Sequence, residues 1–161
     1  MKTTENPTLQ VFQIAGVRYI NPEDALEALK NSEAVMIDVR EMNELDNGII
    51  PLDRVLNHPM SVILDRLPYI SKDQNIIVAC PGGVRSSKVA GLMMQYGYDR
   101  VASLDGGIST WIANGLPYKI KVSAEDCNCR SNKKIRSVLI VKASGNRTLP
   151  IDYKNVKMIR L

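Results

Sequence analysis

Residues 76–87, which read IIVACPGGVRSS, decide the fold of this chain and carry its most specific chemical signal. The apolar run at residues 76–79 predicts a short buried strand, and the paired glycines predict a tight turn. The apolar residues that follow, through residue 96, keep helical spacing and predict a helix beginning at Ser86. Cys80 therefore stands directly between a buried strand and a glycine-rich turn that leads into a helix.

Strands and helices alternate along the chain on both sides of this stretch. Further strands are predicted within residues 11–20, at 34–37, 55–56 and 101–104. Helices are predicted from the capping residue Asn21 to residue 31, at 42–46, from the capping residue Ser61 to Pro68, and at 108–113. This alternation is typical of a mostly parallel sheet flanked by helices, so we expect one α/β domain over residues 11–118.

The composition excludes several classes of protein. The chain has 161 residues, of which 45% are hydrophobic and 24% charged, as in an ordinary globular protein. No apolar run approaches the length of about 18 residues that a membrane span needs. The polar N-terminus predicts no export signal, and three cysteines are few and odd in number. We therefore expect a cytoplasmic protein with free thiols and no membrane partner.

The charge is divided unevenly between two parts of the chain. Residues 1–118 carry 10 Lys and Arg against 14 Asp and Glu, whereas residues 119–161 carry 11 against 3. Apolar runs around a Ser-Gly-Asn turn predict that residues 119–161 form a short, basic, β-rich extension. Its positive charge would protect a sheet edge or attract an acidic partner. It lacks the interleaved aromatic residues of a base-stacking surface, so we do not expect nucleic acid as the partner.

The turn after Cys80 is suited to holding an anion. Successive backbone N–H groups of a glycine-rich turn can point to one spot, and the following helix adds the positive end of its dipole. Gly82 and Gly83 permit the tight backbone that this requires, and Arg85 adds a formal positive charge. Such a field favours the thiolate form of Cys80, which is the nucleophilic form. The alternative interpretation is a cysteine that serves only as a small buried apolar residue.

Three motifs together resemble the single-domain rhodaneses, a sulfurtransferase family. Residues 80–86, CPGGVRS, are similar to the active-site loop of that family, residues 37–41, IDVRE, to its first signature, and residues 104–108, LDGGI, with Trp111 to its closing signature. One departure is residues 48–51, GIIP, which carry isoleucine where the family usually has histidine. The resemblance implies a rhodanese-like α/β domain.

The resemblance also implies a mechanism of double displacement. The Cys80 thiolate would take the sulfane sulfur of a small donor such as thiosulfate, and the persulfide would pass its outer sulfur to a thiol or a sulfur carrier. The expected substrate-binding and persulfide-binding residues are Pro81, Gly82, Gly83, Val84, Arg85 and Ser86. No cofactor and no metal is implied by this chemistry, and the oligomeric state is left open.

Two other functions stay open at this point. Phosphatases and arsenate reductases of related fold use a seven-residue loop, whereas Cys80 to Arg85 spans six residues, which favours sulfur as the transferred atom. A third possibility is a non-catalytic binding module of the same fold. Such a module would have no need of the intact cysteine and its glycine-rich loop.

Four further residues are candidates for a supporting role. Asp38 and Arg40 follow a buried strand, close to where active sites lie in such sheets, and we interpret them as a structural ion pair that could support the site. Cys127 and Cys129 are either exposed bystanders or a thiol pair that relays sulfur from Cys80. They provide only half of a zinc site.

Overall fold

A central sheet of five strands organises the molecule. The computed structural model describes residues 1–120 and 139–140. The strands are β1 (Arg18–Ile20), β2 (Ala34–Asp38), β3 (Val55–Asn57), β4 (Asn75–Ala79) and β5 (Val101–Leu104). Their order in the sheet is β1-β5-β4-β2-β3, and every neighbouring pair is parallel. The predicted parallel α/β fold is confirmed.

Helices cover both faces of this sheet. They are α1 (Pro22–Lys30), α2 (Ile63–Arg66), α3 (Val84–Gln95) and α4 (Gly107–Ala113). Short 3-10 turns occupy Met42–Asn47, Met60–Val62 and Leu67–Tyr69. One core cluster joins the sheet to α2 and α3, and a second joins it to α1 and α4.

The continuous apolar run in β4 is explained by burial on both faces. Ile76 and Val78 pack into the cluster on the α3 side, while Ile77 and Ala79 pack into the cluster on the α1 side. All four side chains are fully buried. Because β4 lies in the middle of the sheet, the loop that follows it emerges between the loops of its neighbours, and Cys80 is placed at the carboxyl edge of the sheet.

Local signals predicted one helix start and missed two. Asn21 caps α1, since its side chain accepts the backbone N–H of Asp24 at 2.8 Å. The prediction that Ser61 caps a helix is wrong: its hydroxyl instead donates to Glu41 at 2.8 Å, and the segment breaks into short turns around a single-turn helix. Helix α3 begins at Val84, two residues earlier than predicted, because Gly83 adopts a left-handed conformation and starts it.

The extension joins the domain beside residue 49. Strand β6 (Lys119–Ile120) pairs antiparallel with β7 (Leu139–Ile140), and Ile49 and Lys119 exchange backbone hydrogen bonds of 2.8 Å. The rest of the predicted β-rich extension, with Cys127 and Cys129, lies outside the described residues. In the part of the chain that the structure describes, no helix has the length and apolar character needed to cross a membrane.

Candidate active site

Cys80 occupies the first position after β4, with its sulfur enclosed by the loop that follows. The residue is 1% exposed. Its Sγ accepts the backbone N–H groups of Gly83 at 3.2 Å and Ser86 at 3.3 Å, and it also lies 3.3 Å from the hydroxyl of Ser86. The sulfur therefore occupies the place where the loop concentrates its donors, and these donors stabilise negative charge on it.

The neighbouring helix α4 keeps the loop in this conformation. The backbone N–H of Ile108 donates to the carbonyl of Cys80 at 2.8 Å, and that of Ser109 donates to the carbonyl of Pro81 at 2.9 Å. Gly107, with a φ of +66°, packs so closely that a Cβ there would overlap both carbonyl oxygens. Because α4 holds the carbonyl oxygens on the outer side of the loop, the loop N–H groups are free to face the sulfur.

Three buried serine hydroxyls line the inner side of the loop. The Ser86 hydroxyl lies 3.0 Å and the Ser87 hydroxyl 2.6 Å from the carbonyl of Gly83. Ser103, at the middle of β5, donates to the Ser86 hydroxyl at 2.8 Å. All three serines are fully buried, so their hydrogen bonds form a connected network that ends at Cys80.

Arg85 is paired rather than free. Its guanidinium donates to both carboxylate oxygens of Glu44, at 2.6 and 2.7 Å. The hydrogen bonds from Arg85 lower the pKa of Glu44 to about 2. The formal positive charge expected from Arg85 is present beside the loop, but Glu44 is paired with it and offsets part of it.

Asp38 and Arg40 form the ion pair expected at the end of β2. Both are buried, and an Arg40 guanidinium nitrogen lies 2.6 Å from the Asp38 carboxylate. Arg40 also donates to the Tyr118 hydroxyl at 3.2 Å and to the carbonyl of Gly48 at 3.1 Å. Through these contacts the pair joins the end of β2 to the segment that leads into the extension.

A cavity adjoins the reactive loop at Pro81 and offers space for a small molecule. Its volume is about 190 Å³. Its lining consists of Arg40, Glu44, Asn47, Pro81, Ile108, Ser109, Ile112 and Tyr118. The two arginines near this cavity, Arg40 and Arg85, both have carboxylate partners. The cavity therefore combines apolar walls with internally paired charges.

An N-terminal arm, which we define as residues 4–13, lies against the back of the site and was not foreseen from the sequence. The Asp105 carboxylate accepts the backbone N–H groups of Thr8 at 2.7 Å and Leu9 at 3.1 Å. The side chain of Gln10 reaches both Ser87 and the backbone of Gly106. Nothing in the arm's composition distinguishes these residues. Ser103, by contrast, could have been singled out from the sequence, because it is a polar residue within the apolar run of a buried strand.

The remaining predicted residues occupy different places. Gly82 borders open space, and Val84 is 41% exposed at the loop surface. Trp111, which belongs to the closing signature, is fully buried in the core. Of the predicted binding residues, the structure brings the backbone N–H groups of Gly83 and Ser86 to the Cys80 sulfur. The predicted relay residues Cys127 and Cys129 lie outside the described part of the chain.

Comparison with known proteins identifies the family of this domain. The Rhodanese-like domain family matches residues 21–114. A protein of Allochromatium vinosum named sulfurtransferase is 37% identical over 102 residues, which cover 63% of this chain and 94% of that protein. The thiosulfate sulfurtransferase GlpE of Glaesserella parasuis is 32% identical over 105 residues, covering 63% of this chain and 92% of that protein.

Other similarities show how widely the domain is used. A tRNA uridine(34) hydroxylase of Staphylococcus carnosus is 31% identical over 101 residues, which cover 58% of this chain but only 31% of that protein. The crystal structure of a rhodanese-related protein from Thermoplasma volcanium has a TM-score of 0.56 and 30% identity, and the match covers 62% of this chain and 95% of that one.

Proposed function

The chain belongs to the rhodanese-like domain family, and we propose that it is an enzyme that transfers sulfane sulfur through a persulfide on Cys80. The observation that carries this proposal is the position of the Cys80 sulfur between the backbone N–H groups of Gly83 and Ser86. Donors in this position stabilise the thiolate before the reaction and the terminal anionic sulfur after it. The names of two relatives, a sulfurtransferase and a thiosulfate sulfurtransferase, support the same conclusion.

The proposed reaction balances without a cofactor. The Cys80 thiolate attacks the outer sulfur of thiosulfate, the bond between its two sulfur atoms breaks, and sulfite leaves with the electron pair. The enzyme then holds a Cys80 persulfide anion. A thiolate acceptor attacks the terminal sulfur, forms a new persulfide and restores the Cys80 thiolate, so that no external oxidant or reductant is consumed.

The cavity beside Pro81 is the proposed approach for the donor and the acceptor. It lies next to the loop, and its volume of about 190 Å³ suits a small molecule or the end of a thiol-bearing chain. The buried Asp38–Arg40 pair supports the cavity wall, because Arg40 lines the cavity and also binds Tyr118. We propose these two residues as supporting groups, with no direct part in the sulfur transfer.

The six-residue loop favours sulfur transfer over phosphate chemistry. Sγ lies within 3.3 Å of the backbone nitrogens of both Gly83 and Ser86, so the loop is narrow around the sulfur. A tetrahedral phosphate needs more room than a single sulfur atom. We therefore expect this protein to turn over sulfur donors but not a small aryl phosphate.

A turnover assay with matched variants tests the proposal. The full chain is incubated with thiosulfate or a small organic persulfide and a thiol acceptor, and the release of sulfite or thiol is measured. We expect Cys80→Ser to abolish turnover while the protein remains folded. A Cys127→Ser/Cys129→Ser double variant tests the proposed relay: slower transfer to the acceptor supports it, and unchanged transfer makes those thiols bystanders. Equal activity in Cys80→Ser contradicts the function itself.

A further inference from the structure

We propose that Gln10 of the N-terminal arm is a positioning residue for the reactive loop, an inference that rests on the function proposed above. Its side-chain nitrogen Nε2 donates to the carbonyl of Phe12 at 2.6 Å and to the hydroxyl of Ser87 at 3.3 Å. Its side-chain oxygen Oε1 accepts the backbone N–H of Gly106 at 3.0 Å. One half-buried carboxamide therefore links the arm, helix α3 and the turn after β5.

The same carboxamide packs directly on the reactive loop. A Cβ added to Gly83 would overlap the Oε1 and Cδ atoms of Gln10, and Gly83 has a φ of +84°. Gly83 is also the residue whose N–H donates to the Cys80 sulfur. Gln10 thus contacts the loop at Gly83, one of the two residues whose N–H groups bind the sulfur. Gln10 itself lies outside residues 21–114, which match the family.

The hydrogen-bond network explains how this contact reaches the sulfur. A serine hydroxyl has one proton to donate. Because Gln10 donates to the Ser87 oxygen, the Ser87 proton is left for the carbonyl of Gly83 at 2.6 Å or the hydroxyl of Ser103 at 3.3 Å, and the shorter contact favours the carbonyl. That carbonyl also accepts the backbone N–H of Ser87 at 3.1 Å, so both of its lone pairs are occupied.

The occupied carbonyl leaves the Ser86 hydroxyl available to the sulfur. Ser86 receives a proton from Ser103 at 2.8 Å, so its own proton points either to the Gly83 carbonyl or to Cys80. When the sulfur is negative and the carbonyl is already satisfied by Ser87, the sulfur is the stronger acceptor. Gln10 therefore acts through Ser87 to give the anionic sulfur a third donor.

Single-turnover and steady-state kinetics of the full chain test this role, with thiosulfate as the donor. Gln10→Ala is expected to slow persulfide formation and to lower kcat about five- to tenfold, the size of one lost hydrogen bond between neutral groups, because Gln10 acts on the sulfur only through Ser87. KM for thiosulfate is expected to stay unchanged, because Gln10 does not line the cavity. The matched control is Gln13→Ala, since the side chain of Gln13 donates to Glu5 and Asn6 within the arm.

A double-variant cycle separates positioning from general destabilisation. Ser87→Ala is expected to match Gln10→Ala, and the variant carrying both changes is expected to be no slower than Ser87→Ala alone. Rates are compared below the unfolding temperature of every variant. The inference is overturned if Gln10→Ala reacts as fast as Gln13→Ala, if only KM changes, or if the two effects multiply. A wild-type chain that forms no persulfide instead contradicts the proposed function.

Discussion

Two glycine-rich turns lie at the carboxyl edge of the sheet, residues 80–86 after β4 and residues 105–110 after β5, and they are built alike but have different hydrogen-bond partners. Each follows a buried strand, contains a left-handed glycine and leads into a helix. In the first turn the backbone N–H groups converge on a thiol of the same loop. In the second, the N–H groups of Ile108 and Ser109 donate to carbonyl oxygens of the first turn.

This difference shows how one backbone geometry provides both a reactive group and its support. The first turn exposes its donors to a sulfur that can carry negative charge, and so it can do chemistry. The backbone donors of the second turn bind protein atoms: the N–H of Gly106 donates to Gln10, and those of Ile108 and Ser109 donate to carbonyl oxygens of the first turn. The chemistry therefore depends on which atom occupies the donors, and the support turn fixes the orientation of the reactive one.

We expect the largest effect from Gly107→Ala, which changes the turn that supports the reactive one. A Cβ there would overlap backbone atoms of Cys80, Pro81 and Gly83, none of which can move as a flexible side chain would, and the φ of +66° adds strain. We expect a loss of at least about 3 kcal/mol in the free energy of unfolding, together with loss of turnover.

The matched control for this prediction is Gly82→Ala. Gly82 has open space around its Cα and no left-handed φ, so its unfolding temperature should stay close to that of the wild type. Equal unfolding temperatures for the Gly107→Ala and Gly82→Ala variants would contradict the assigned support role.

A second test compares two hydroxyl groups in equivalent places. The Ser86 hydroxyl lies 3.0 Å from the carbonyl of Gly83 and 3.3 Å from the Cys80 sulfur in the first turn, and Thr110 donates to the carbonyl of Gly106 at 3.0 Å in the second. Ser86→Ala should lower kcat about 10- to 100-fold, since it removes a donor from the charged sulfur. Thr110→Ala should alter thermal stability with little change in kcat; similar kinetic losses in both variants would argue against distinct roles.

The smallest expected effect concerns the charge beside the reactive turn. Glu44→Gln leaves Arg85 without its carboxylate partner, so we expect kcat/KM for dianionic thiosulfate to rise about two- to fivefold at low salt and the gain to fade as ionic strength increases. Glu33→Gln is the control, because it removes the same negative charge far from the reactive turn. Glu33 precedes β2 and so lies at the opposite edge of the sheet. A gain of equal size in the control would assign the effect to net charge alone.

The pH dependence of this pair follows from the pKa of Glu44. Arg85 lowers that pKa from 4.5 to about 2, so the stabilisation from the pair is complete above pH 4.5 and is lost only as the pH falls towards 2. At pH 5 the Arg85–Glu44 pair should therefore still be intact, and the wild-type kcat/KM for thiosulfate should stay below that of Glu44→Gln. Behaviour like that of Glu44→Gln at pH 5 would contradict the pairing.

The sequence predicted the sheet and the reactive loop because their signals are local. Buried strands such as β4 and β5 appear as short apolar runs, and the turn at Cys80 is specified by residues that are consecutive in the sequence. The role of Gln10 and the pairing of Arg85 with Glu44 depend on contacts 77 and 41 residues apart along the chain. No periodicity encodes such contacts, so they could be read only from the folded structure.

The failed prediction for Ser61 has the same origin. Its local context suits a helix cap, but Glu41, 20 residues earlier, accepts both its hydroxyl and its backbone N–H. A tertiary partner therefore displaced the local hydrogen bond on which the prediction relied. The Asp38–Arg40 pair was easier to predict, because the end of a buried strand follows directly from the α/β pattern.

The mass of the intact protein after treatment with sulfur donors tests the central claim most directly. The full chain is incubated with thiosulfate or a small organic persulfide, freed of excess donor and weighed, and the modified residue is located by peptide mapping without reduction. We expect the mass to rise by one sulfur atom, located on Cys80 and removed by a thiol acceptor. A wild-type chain that gains no sulfur from any donor, or a Cys80→Ser variant that gains as much, would contradict it.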